Sequence, residues 1–283
     1  MIKMSYLLGS NSQYKRFTLE SFISDMVRLG IHKLDFVPQT PHFFCGRGGY
    51  EDPASLRAKL KESDLVIEVL SAPGYRYSIT AAEGEQREAT LSYYKNCIRL
   101  ASELECNKLV LGAYGACWDI EKRVLIDNAK GILQQLCDFA DGYGVSLLLL
   151  PVMGPETPLI AESPVLNRSS EFLELLDEVD NSNLQICLDT NVMSSCGETL
   201  SDWFKQLRDK IKLVRLCDGN YHGWRAWGKG VLPMKRYIEE LELFDYNGDI
   251  SLLLPDEFYL QQPSYPNELT LAAISEAKLT WRQ

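Results

Sequence analysis

Residues 108–113 read K-L-V-L-G-A, residues 145–151 read V-S-L-L-L-L-P, and a helical stretch near 120–142 lies between them. Each short run is rich in Val and Leu and almost uninterrupted, which is the pattern of a strand buried on both faces of a parallel sheet. A parallel neighbour requires a crossover of a dozen or more residues, and the intervening helix supplies it. Gly144 stands where such a helix needs a left-handed residue to end.

The unit repeats in both directions. Towards the N-terminus the runs are I-K-M-S-Y-L-L (2–8), H-K-L-D-F-V (32–37) and L-V-I-E-V-L (65–70). Towards the C-terminus they are L-Q-I-C-L-D (184–189), I-K-L-V-R-L-C-D (211–218) and G-D-I-S-L-L-L-P (248–255). Leu19, Phe22, Ile23, Met26 and Val27 fall on one helical face, with Thr18 as cap and Gly30 as terminator. Another helix carries Pro53 in its first turn. Further helices are read near 84–105, 169–179, 199–208, 232–243 and 267–280. Eight strand–helix units predict an α/β chain folded as one closed (β/α)8 TIM barrel, a single domain over 1–283, in preference to an open doubly wound sheet. Neither G-x-G-x-x-G after the first strand nor G-x-x-x-x-G-K-[ST] occurs, which argues against the nucleotide-binding alternatives.

Composition narrows the function. Lys and Arg number 29 against 39 Asp and Glu, a net charge of −10. Such a balance disfavours nucleic acid and anionic membrane as partners. No run approaches the ~18 apolar residues of a membrane span, and the N-terminal run is too short for a signal peptide, so a cytoplasmic protein is expected. The eight cysteines form no C-x-x-C pair and are read as reduced, small buried hydrophobes. No ligand spacing joins Cys117, Cys196 and Cys217 into a zinc site. Three histidines, His32, His42 and His222, are few for a protein with several metal centres.

A barrel places its working residues at the C-terminal ends of its strands. Candidates there are Gly9, Ser10 and Asn11 after the first strand, then Gln39, Thr40 and His42 after the second. Glu68 is a candidate inward residue on the third strand. Tyr114 and Trp118 follow the fourth strand, Glu156 the fifth, and Asp189 ends the sixth. Arg215 and Asp218 lie on the seventh, and Asp256 and Glu257 follow the eighth. The loop after the seventh strand holds Tyr221, His222, Trp224, Arg225, Trp227 and Lys229 in close succession. Aromatic faces beside polar groups suit sugar rings, which present C–H faces and hydroxyl edges.

Motif order then becomes specific. His222 is followed by W-G-K-G-V-L-P (227–233), Y-I-E-E-L (237–241) and N-G-D-I-S-L (247–252). With L-L-L-L-P-V-M-G-P-E (147–156) and I-C-L-D-T-N (186–191), this resembles the xylose-isomerase-like barrel family of sugar isomerases and epimerases, including the tagatose/psicose 3-epimerases and fructoselysine 3-epimerase. The resemblance covers essentially the whole chain. It implies a small sugar or sugar derivative as ligand and assembly as a homo-oligomer.

In metal-dependent members, Glu, Asp, His and Glu from strands five to eight hold one divalent cation, and the two glutamates move protons. The resemblance puts these positions at Leu150, Asp189, Arg215 and Leu254. One ligand of the four remains, so no Mn²⁺, Mg²⁺ or Co²⁺ is predicted as cofactor. Leucine neither coordinates a hard cation nor moves a proton, and arginine is a permanent cation without a lone pair to give. The family's second acid of the fifth strand matches at Glu156. The expectation is that Arg215 occupies the place of the metal and pairs with Asp189 in a bidentate fork.

Expected catalytic residues are therefore Asp189, Arg215, Glu156 and His222. Expected substrate-binding residues are Tyr114, Asp218, Trp224, Trp227, Lys229 and Glu257. Two functions compete: a metal-independent sugar isomerase or epimerase, and a catalytically inactive sugar-binding or partner subunit. Apurinic-site endonucleases share this barrel, but the acidic charge and the scarcity of histidine argue against that activity.

Overall fold

The computed structural model describes residues 6–255 and 259–280. Eight parallel strands close into a barrel in which each strand pairs with the next and the last pairs with the first. They are β1 (Leu7–Ser10), β2 (Lys33–Phe36), β3 (Val66–Ser71), β4 (Lys108–Gly112), β5 (Ser146–Leu150), β6 (Leu184–Asp189), β7 (Ile211–Arg215) and β8 (Asp249–Ser251). The predicted (β/α)8 architecture is the one observed, and the helices follow the sequence pattern closely. The first, Leu19–Leu29, has Thr18 Oγ1 accepting the Ser21 N–H at 3.2 Å and Gly30 at φ 67° beyond its last turn. The helices Glu85–Glu103 and Lys122–Asp141 are the longest crossovers.

Three departures arise from short-range geometry that apolar periodicity does not report. β8 is only three residues long, and the rest of its apolar run continues as a loop to the barrel mouth. A six-residue helix, Thr190–Ser195, starts directly at the end of β6. An antiparallel hairpin, Asp218–Asn220 with Gly223–Arg225, rises from the end of β7.

Side chains two apart along a strand share a face, so the barrel interior is layered. Its middle is an apolar cluster of Leu8, Val69, Val110, Leu148, Cys187 and Leu213, separate from the larger core under the helices. Towards the N-terminal ends of the strands sit Lys33, Glu68, Lys108 and Asp249. Lys108 Nζ reaches Glu68 at 2.6 Å and Asp249 at 2.7 Å, while Lys33 Nζ reaches them at 3.2 and 3.8 Å. Glu68 does face inward as expected, but it serves this closed charge network rather than the mouth.

Candidate active site

A cavity of about 550 Å³ opens at the C-terminal mouth of the barrel. Asp189, Arg215, Tyr114, Trp224 and His222 line it, as does Leu150. The eighth strand contributes Leu253 and Pro255 rather than Leu254, because strand alternation carries the inward face through Ser251 to Leu253.

Asp189 and Arg215 are register neighbours on β6 and β7, and both are buried. The expected fork between them is not formed. Asp189 caps the helix that follows it: Oδ1 accepts the N–H of Asn191 at 2.8 Å and of Val192 at 3.0 Å. The Cys217 thiol donates to the same oxygen at 3.4 Å, and Oδ2 accepts Trp224 Nε1–H at 2.9 Å. Free N–H groups at a helix start draw in the adjacent carboxylate, and Asp189 is the adjacent carboxylate. The bond to Trp224 sets that indole into the cavity wall. Burial holds the Cys217 thiol well above its ordinary value, so it stays protonated as the donor this contact needs.

Arg215 crosses the barrel instead. Its Nη2 donates to Ser71 Oγ at 2.8 Å, and Ser71 Oγ in turn donates to Asp35 Oδ1. Ser251 Oγ donates to Asp35 Oδ2 at 2.6 Å. Arg215 Nε lies 3.7 Å from the same Oδ2 and has no hydrogen-bond partner among the described residues. Burial works against the charge on Arg215, but Cys187, Asp35, Tyr114 and Asp189 outweigh it and raise its pKa further. Thus β2, β3, β7 and β8 each give one residue to a buried cation–carboxylate unit whose arginine faces the cavity.

Tyr114 is half-buried beside Tyr75, their ring centroids 4.8 Å apart. Burial, reinforced by Glu162, pushes its phenol well above the usual range, so it acts as a neutral hydroxyl. His222 is exposed at the rim, its ring 4.2 Å from that of Tyr221.

Other expected residues stand elsewhere. Glu156 is exposed and paired with Arg168 outside the cavity. The match to a family acid is thus one of sequence position, and the turn after Pro155 directs the side chain to the surface. Asp218 is buried away from the cavity wall. Its carboxylate accepts backbone N–H groups from Gly219, Gly228, Gly230 and Leu232 at 2.8–3.0 Å. This explains the G-x-G spacing: Gly228 has φ 79°, and a Cβ on Gly230 would sit 2.2 Å from Asp218 Oδ1. Trp227 packs on the main core, and Lys229 is exposed outside the cavity. Glu257 and Asp256 lie outside the described residues.

Around the mouth, Asn11 and His42 organise the first two loops. Asn11 Oδ1 accepts Val37 N–H at 2.7 Å, and its Nδ2 donates to Val37 O at 2.9 Å and His42 Nδ1 at 3.0 Å. His42 Nε2–H then donates to Phe17 O at 2.9 Å, and burial lowers the ring's pKa, consistent with a neutral, structural imidazole. Lys15, Ser71 and Glu162 also line the cavity and Asp35 lies beneath it; none of the four is among the residues expected from the sequence. For Asp35 a signal existed: it is the inward acid within H-K-L-D-F-V. Glu162 sits in a long aperiodic loop, where spacing carries no such information.

A family model described as a xylose isomerase-like TIM barrel matches residues 26–272. Fructoselysine 3-epimerase of Shigella flexneri is 22% identical over 255 residues, covering 88% of this chain and 90% of that protein. D-psicose 3-epimerase of Agrobacterium fabrum is 20% identical over 203 residues, covering 70% and 67%. Among solved structures, a D-tagatose 3-epimerase-like protein superposes with a TM-score of 0.79 at 17% identity, covering 97% of this chain and 99% of that one.

Proposed function

The chain belongs to the xylose isomerase-like TIM-barrel family, and on that premise we propose that its cavity binds a small carbohydrate-like ligand and acts on it without a divalent metal. The observation that carries this reading is Arg215, a buried guanidinium at the cavity wall where the resemblance would put a metal-binding histidine. The wall is largely apolar through Val110, Leu150 and Leu253, with Tyr114 and Trp224 offering ring faces to C–H groups.

The residues at the four family positions do not fit a cation. Leu150 and Leu254 have no donor atom, Arg215 is positively charged, and both Asp189 oxygens already accept hydrogen bonds. Among the described residues, no three His, Cys, Asp or Glu side chains gather where they could hold a metal ion. In this reading Arg215 donates to a ligand carbonyl or hydroxyl oxygen and stabilises charge that develops there. Glu162 and Asp189 are the carboxylates at the wall among the described residues, and Asp189 is committed to its helix and to Trp224. Glu162, whose Oε2 accepts the Met153 N–H at 3.2 Å, is the carboxylate assigned here to move a proton.

A second reading has one specific observation behind it. Both glutamate positions of the proton shuttle are leucines, which suits a sugar-binding barrel without turnover.

Titration calorimetry against D-fructose and D-psicose in EDTA, paired with solvent-deuterium exchange into the same ketoses, tests both. Binding with exchange in EDTA supports the metal-free enzyme. Binding without exchange supports the non-catalytic barrel. Exchange that requires added Mn²⁺ overturns the metal-free reading.

A further inference from the structure

The buried unit beneath the cavity places a carboxylate, two serine hydroxyls and a guanidinium on four different strands. Asp35 is fully buried and accepts from both Ser71 and Ser251, while Arg215 donates to Ser71 from the cavity side. Of this unit the ligand would meet Arg215 and Ser71, which line the cavity, and not Asp35.

We propose that Asp35 is a specificity-determining residue: it neutralises Arg215 from below and thereby makes the cavity select uncharged oxygen ligands and reject carboxylated or phosphorylated ones. This rests on the ligand-binding reading above and adds the charge class of the ligand. A guanidinium alone in a buried pocket is a strong site for carboxylate or phosphate. Here its nearest opposing charge is already present at 3.7 Å. Counting formal charges with histidine neutral, the described wall carries Lys15 and Arg215 against Glu162 and Asp189. Asp35 beneath brings the total to −1. A second carboxylate on Arg215 would raise that to −2 in a poorly solvated space, where like charges repel strongly. A carbonyl or hydroxyl oxygen accepts from the guanidinium without that cost.

Ser71 and Ser251 make Asp35 a positioning group as well. They fix its carboxylate by hydrogen bonds to separate oxygens, and Ser71 passes that restraint to Arg215 Nη2. Asp35 does not touch the ligand, and its effect is felt through the arginine.

The experiment is titration calorimetry of the wild type, Asp35→Asn and Asp35→Asn/Arg215→Gln with D-fructose, D-gluconate and inorganic phosphate. The wild type is expected to prefer fructose and to bind both anions more weakly. Asp35→Asn is expected to gain affinity for gluconate or phosphate by about tenfold or more, and the double variant to lose that gain. A merely structural role for Asp35 would weaken all three alike and leave the preference unmoved. A folded Asp35→Asn whose anion affinities stay within about twofold of wild type overturns the proposal, as does a wild type that prefers gluconate. A wild type that ignores fructose defeats the sugar-binding reading, and the phosphate arm on Asp35→Asn still decides the charge inference. If Asp35→Asn is too unstable for calorimetry, its melting temperature is followed against phosphate concentration. A rise absent from wild type supports the proposal, and no rise overturns it.

Discussion

The two ends of the barrel interior carry buried charge in opposite ways. At the N-terminal end, two lysines and two carboxylates close on one another, with Lys108 bonded to both Glu68 and Asp249. At the C-terminal end, one arginine meets one aspartate through a serine, leaves Nε without a hydrogen bond, and faces a cavity. The first arrangement uses its hydrogen-bonding capacity internally. The second uses only part of it internally, and its arginine lies on the cavity wall. Barrels in general divide stability and function between these ends, and here the division is visible in how completely each charge is satisfied.

The largest expected effect breaks the satisfied end. Lys108→Met removes the central cation and leaves Glu68 and Asp249 facing each other with, among the described residues, Lys33 alone between them. Denaturant unfolding should show a loss of about 3 kcal/mol, while ligand affinity at the other end stays unchanged. A loss of affinity equal to that seen on altering Arg215 would mean that the two ends are not independent.

The same end predicts a pH window. Burial alone would raise Glu68, but its hydrogen bonds to Lys108 and Lys33 outweigh it and lower the pKa. Its stabilisation is therefore present above the unfolded carboxylate value of about 4.3 and is lost as pH falls through the lower folded value. Burial alone would lower Lys108, but hydrogen bonds to Asp249 and Glu68 raise it. That contribution is present below the unfolded value of about 10.4 and is lost as pH rises through the higher folded value. In Lys108→Met the acid and alkaline limbs of the stability profile should both flatten.

A smaller effect belongs to the loop over the cavity. Asp218→Ala removes the acceptor for four backbone N–H groups and should cost about 2 kcal/mol. Hydrogen exchange at Gly228, Gly230 and Leu232 is expected to accelerate, and unchanged protection there would count against Asp218 as the organiser of the loop. The smallest effect lies outside both charge clusters. Glu156→Gln loses an exposed pair with Arg168 and should change stability by less than about 1 kcal/mol, with ligand binding unaffected. A large fall in binding would return Glu156 to the site that its sequence position suggested.

What could be read in advance follows from the range of each interaction. Strand and helix periodicity is local, so eight units and their order are legible, together with Thr18 and Gly30. Asp189, Arg215, Tyr114, His222 and Trp224 line the cavity because barrel topology carries strand ends and the seventh loop to one face. Side-chain direction was not legible in the same way. Asp189 and Arg215 are adjacent in register, yet one turns back to its own helix and the other reaches across to β2 and β3. Glu156 fits a motif and points to the surface, while Glu162, six residues on, lines the cavity.

The sequence by itself determined a parallel α/β barrel and its likeness to the xylose isomerase-like family. Those facts depend on residue type and periodic spacing, which a linear chain carries in full. Only the tertiary structure decided that Asp35, 180 residues before Arg215 in the chain, is its counter-ion, and that Asp189 holds Trp224 rather than the arginine. Closing the barrel brings β2 and β3 within reach of β7 across the interior. No local pattern marks that meeting, because it is set by which side chains point inward and how far each extends.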